Sequence, residues 1–109
     1  MDMETYQRKA SAFAIYKDPL YPALGLTGEA GEFADKLAKL LRAAEFSGWN
    51  YLHIDDRLAL ADELGDVLWM VQACSKALNI PLGEIAARNI DKLDGRKRRG
   101  TIHGSGDVR

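Results

Sequence analysis

Apolar residues recur at helical spacing along nearly the whole chain, and nowhere do they alternate as a half-buried strand would require. Tyr6, Ala10, Phe13 and Ala14 share one face and predict a first helix over roughly Met3 to Tyr16. "KDPLYP" interrupts it, because two prolines remove backbone donors and restrict the residues before them. Pro22 suits the first turn of a second helix, which runs to about Ala44 with Leu26, Phe33, Leu37, Leu40 and Leu41 along its stripe. Gly25, Gly28 and Gly31 fall on successive turns of that helix and lower its propensity by up to ~1 kcal/mol each. Close approach by a neighbouring helix or a ligand is therefore expected there.

Glu45 to Ile54 reads as a loop, with Gly48 and Asn50 as turn residues. Asp55 or Asp56 is expected to cap a third helix ending near Leu78. Leu58, Leu60, Ala61, Leu64, Val67, Leu68 and Val71 cover most of that helix's girth, which predicts a central position. "NIP" ends it, and a fourth helix follows from Leu82 to about Arg98. The prediction is an all-α, four-helix bundle-like domain over residues 1–99, with a glycine-rich tail over 100–109.

A chain of 109 residues makes one domain with a modest core, small enough to gain from oligomerisation. Net charge is −1, so no overall field points to nucleic acid or membrane, yet the charge is uneven. From Lys92 onward six basic residues face two acidic ones, a surplus of four that leaves the preceding residues at −5. Cys74 is the sole cysteine, which excludes an intramolecular disulfide and points to a small core residue. Asp2 and Glu4 stand where a secretory leader would need basic residues, and there is no apolar run of ~18 residues, so a cytoplasmic location is expected.

The chemistry is carried by "EAGE", Glu29 to Glu32, and "ELGD", Glu63 to Asp66. An i, i+3 pair puts two carboxylates on one helix face about 5–6 Å apart at the β-carbons. Two such helices packed antiparallel would aim four carboxylates at one point, and a set of oxygen ligands suits Mg²⁺, with Mn²⁺ as a substitute. A di-iron bundle would need Glu-x-x-His motifs, and His53 and His103 occupy no such position. Zinc is disfavoured for want of nitrogen and sulfur ligands. The plain alternative is a pair of ordinary solvated acidic faces. Asp62, at i−4 from Asp66, is a candidate outer ligand or a solvated residue.

These motifs resemble those of the MazG-like, all-α nucleoside triphosphate pyrophosphohydrolases, whose pattern is Glu-x-x-Glu, a variable spacer, then Glu-x-x-Asp. "YPALGLTGEAGE", "DELGDVLWM", "NIDKLDGRKRRG" and "GTIHGSGD" extend the likeness to one branch of short, single-domain members. The resemblance implies hydrolysis of a (deoxy)nucleoside triphosphate to the monophosphate and pyrophosphate, dependence on Mg²⁺, and assembly as a homodimer or homotetramer. It implies that Glu29, Glu32, Glu63 and Asp66 are metal ligands, with one glutamate receiving the proton of the attacking water. Asn89, Lys92 and Arg96 fall at i, i+3 and i+7 and form one polar stripe on the fourth helix. The resemblance puts Lys92 and Arg96 on phosphate and Asn89 on sugar or phosphate, the alternative being a solvated face. Lys36 is expected to touch phosphate or pair with Glu32. The tail "RKRRGTIHGSGD" is read as a phosphate wrap, a subunit contact or a free basic end. Phe46, Trp49 and Tyr51 are candidates to stack a base or to anchor the loop against the bundle, and Trp69 to line the base pocket or pack in the core. Two rivals remain: a non-enzymatic helical interaction protein, and a hydrolase of another phosphorylated metabolite.

Overall fold

A computed structural model describes residues 1–43, 52–104 and 106. Four helices make up the described chain: α1 (Met3–Ser11), α2 (Tyr21–Ala43), α3 (Ile54–Leu78) and α4 (Leu82–Arg99). No strand occurs among the described residues. The aromatic loop expected around Phe46, Trp49 and Tyr51 lies outside them.

Helix ends follow local chemistry. Asp2 caps α1 by accepting from the Thr5 amide at 2.7 Å. The helix stops at Ser11, earlier than its apolar spacing predicts. Its last turn tightens into i→i+3 bonds from Ala12, Phe13 and Ala14. The Ala10 carbonyl also accepts from the Trp69 indole at 3.1 Å, which ties this helix end to α3. His53, rather than Asp55 or Asp56, takes the N-cap position of α3, and both aspartates fall in the first turn, where they complement the dipole. Asn79 ends α3 in the left-handed region at φ 59°, with the Asn79 and Ile80 amides reaching back to Lys76 and Ser75. Gly100 ends α4 in the same way at φ 71°.

Helix α3 packs against α1, α2 and α4, as its apolar girth predicts. Gly25 of α2 lies against Met70 of α3, while Lys36 reaches Glu63, so the two long helices run antiparallel. A β-carbon at Gly25 would come within 2.8 Å of the Met70 sulfur and terminal methyl, so this flexible side chain would have to move to admit one. Around a β-carbon built at Gly28 or Gly31 nothing lies within 4 Å among the described residues, so of this helix's three glycines the expected close approach is seen at Gly25.

The apolar core is small. Ala10, Pro22, Leu52, Leu60, Met70, Ala73 and Leu82 are its buried members among the described residues. Leu24, Leu58, Leu64, Leu68 and Ile90 stay at least 43% exposed. A radius of gyration of 16.7 Å exceeds the ~13 Å typical of a compact domain this long. No described helix is long and apolar enough to cross a membrane.

Candidate metal and phosphate site

The antiparallel pairing of α2 and α3 brings Glu29, Glu32 and Glu63 together, with one oxygen from each lying within 4.8 Å of the others. Asp66, one turn after Glu63, stands outside that triad but close enough for its charge to bear on Glu29. Asp62 is exposed and does not join the group. Burial first, then the charges of Glu32, Asp66 and Glu63, hold the Glu29 carboxyl above the ordinary glutamate range. Its Oε2 atom is buried and accepts no hydrogen bond. A buried carboxylate oxygen without a donor, among converging oxygens, is a cost that a hard cation offsets. The residues present therefore fit a divalent ion bound through oxygen.

Lys36 takes a different partner from the one its position suggests. Its Nζ donates to Glu63 Oε1 on α3 at 3.1 Å rather than to Glu32 one turn back on its own helix. Glu32, Asp35, Lys36, Lys39, Leu40 and Glu63 line a cavity of about 320 Å³ beside the triad. Lys39 pairs with Asp35 at 2.8 Å along α2.

The α4 residues expected on the nucleotide divide into two environments. Asn89 and Lys92 line a cavity of about 510 Å³ with Ile80, Ile85, Arg88 and Asp91. Among the described residues, that cavity shares no lining residue with the one beside the carboxylates. Arg96 is buried, and its Nη2 donates to the Gly106 carbonyl at 3.1 Å. Here it fastens the tail to α4, a role that the i, i+3, i+7 stripe through Asn89 and Lys92 does not reveal.

Tyr6 has no signal in the sequence that would mark it. Burial and the charge of Asp66 raise its hydroxyl pKa, which puts α1 beside the acidic group. Trp69 stacks edge-on to Tyr16, ring centres 6.1 Å apart, and Tyr16 stacks on Tyr21 at 5.5 Å. With its indole nitrogen bonded to Ala10, Trp69 serves packing within this chain.

The MazG nucleotide pyrophosphohydrolase domain model matches residues 19–101, a span that contains both carboxylate pairs and Lys36. The chain belongs to that family. It is also 40% identical over 118 aligned positions to the Gene 37 protein of Mycobacterium phage L5, and the alignment covers all of both chains. No solved structure matches. Members of this family generally depend on a divalent metal, and the acidic group supplies ligands of the right kind.

Proposed function

We propose that the protein is a Mg²⁺-dependent nucleoside triphosphate pyrophosphohydrolase that converts a (d)NTP to the (d)NMP and pyrophosphate. The observation that carries this reading is the convergence of Glu29, Glu32 and Glu63 within 4.8 Å, inside a chain of the MazG family. Glu29, Glu32, Glu63 and Asp66 would hold the ion. Once bound, a divalent ion offsets phosphate charge and acidifies a water for attack on phosphorus. The water's oxygen joins phosphorus at the α–β anhydride, the bridging bond breaks, and pyrophosphate leaves. One glutamate of the group takes the proton. Lys36 supplies positive charge beside the triad, and Asn89 and Lys92 offer polar contacts from α4. The burial of Arg96 favours its tail contact over a phosphate contact.

The same reading includes a homo-oligomer, a dimer or a tetramer. A core this small, with Leu58, Leu64 and Leu68 of α3 exposed, gains from a second copy. The expected location is the cytoplasm, where nucleoside triphosphates are held.

The test is an assay of pyrophosphate release from a panel of common and damaged triphosphates with Mg²⁺, in wild type and in Glu32→Gln. Release by the wild type alone, with both proteins folded, supports the proposal. Intact triphosphates throughout would favour a non-enzymatic interaction protein, and orthophosphate in place of pyrophosphate would indicate a different phosphohydrolase.

A further inference from the structure

The ion pair between Lys36 and Glu63 spans α2 and α3 at the edge of the carboxylate triad, and the same lysine lines the adjoining cavity of about 320 Å³. Both side chains are partly exposed, at 41% and 21%, so the contact is within reach of solvent ions. We propose that Lys36 is a displaceable internal cation: it competes with a divalent ion for Glu63 and, once released, turns into the cavity to meet a phosphate. This rests on the pyrophosphohydrolase reading and adds an order to it, cation first and polyphosphate second.

Charge and geometry both support the exchange. Three clustered carboxylates repel one another, and one ammonium on Glu63 offsets only part of that. A divalent ion offsets more and draws on all three. Lysine is a compact point charge on a flexible stem, able to change partners without breaking a bidentate fork. Lys39, on the same helix and lining the same cavity, pairs with Asp35 rather than with Glu63. It therefore serves as an internal control.

The experiment measures Mn²⁺ binding to the nucleotide-free protein by the electron paramagnetic resonance signal of free Mn²⁺. Loss of a partly exposed competing ion pair in Lys36→Met should tighten binding about two- to fivefold. Lys39→Met should change it less. Lys36→Arg, which keeps the charge but grips carboxylates more firmly, should weaken it. Equal tightening in both methionine variants would mean general charge repulsion and would overturn the proposal, as would weaker binding in Lys36→Met. A second readout is acetylation of the wild-type protein followed by mass spectrometry. Mg²⁺ should raise labelling at Lys36 relative to Lys39, and an unchanged ratio counts against release. The outcomes separate this inference from the reading beneath it. Wild type that binds Mn²⁺ with no Lys36 effect defeats the inference alone, whereas wild type that binds no Mn²⁺ defeats both.

Discussion

Gln7 on α1 donates from its Nε2 to the Gln72 carbonyl on α3 at 3.1 Å, although 65 positions separate them in the chain. The same nitrogen reaches Ser75 Oγ at 3.1 Å, and the Gln7 Oε1 accepts from the Leu82 amide at 3.0 Å, at the start of α4. One amide thus joins three helices around two buried residues, Gln72 and Ser75. Replacing Gln7 with Ala leaves the Leu82 amide without its acceptor and removes the tie to Gln72 and Ser75. The expected cost is about 2–4 kcal/mol, from net bond loss and unsatisfied buried atoms. Urea unfolding checks it, with the midpoint falling and the slope unchanged.

Glu29 makes stability depend on pH. Its carboxyl pKa is raised in the folded chain, so folding favours the protonated form. That contribution is fully present below the ordinary glutamate value of 4.5 and is lost as pH rises through the raised one. Glu29→Gln, free of the burial cost of the charge and of the like-charge repulsion, should therefore be more stable than wild type at pH 7 without divalent ions. Repulsions of a few tenths of a kcal/mol per neighbour predict a gain of about 0.5–1 kcal/mol. The gain should fade below pH 4.5. Adding Mg²⁺ at pH 7 should raise the wild-type Tm more than that of the variant. Thermal melts across pH measure each of these.

Arg96 provides a test of the tail. Arg96→Met removes the donor to Gly106 and should loosen the segment after Gly100. Trypsin cleavage after Lys97, Arg98 or Arg99 should become several-fold faster, because cleavage follows local opening. The KM for triphosphate should change by less than about threefold, whereas a charged contact to phosphate would be worth ten- to a hundredfold.

The exposed leucines of α3 predict assembly. Leu58→Glu or Leu68→Glu places a charge on a side chain that is 57% or 43% exposed, so a single copy should tolerate it within about 0.5 kcal/mol. In an oligomer sealed by that face the same change buries an unpaired charge and should shift the protein to monomer. Sedimentation velocity reads the outcome directly.

Trp69 anchors the end of α1. Trp69→Phe keeps a ring beside Tyr16 and loses the bond to the Ala10 carbonyl. The expected loss is about 1–2 kcal/mol, with backbone amide exchange in α1 rising first.

The spacing of apolar residues, the prolines at 19, 22 and 81 and the stop signals at Asn79 and Gly100 were enough to define four helices and most of their ends. That information is local, because a helix is made by contacts three and four residues apart. The carboxylate pairs were legible for the same reason, as was the family they resemble. Partner choice across helices was not. Lys36 could meet Glu32 on its own helix, yet the antiparallel packing of α2 on α3 places it on Glu63. Arg96 shares a stripe with Asn89 and Lys92, but the returning tail covers it and leaves them exposed. Tyr6 comes near Asp66 through the docking of α1 on α3, to which Gln7 and Trp69 both contribute. Helical periodicity says which side chains share a face. Which faces meet, and at what height, depends on long-range packing between residues far apart in the chain, and that the tertiary structure alone decided.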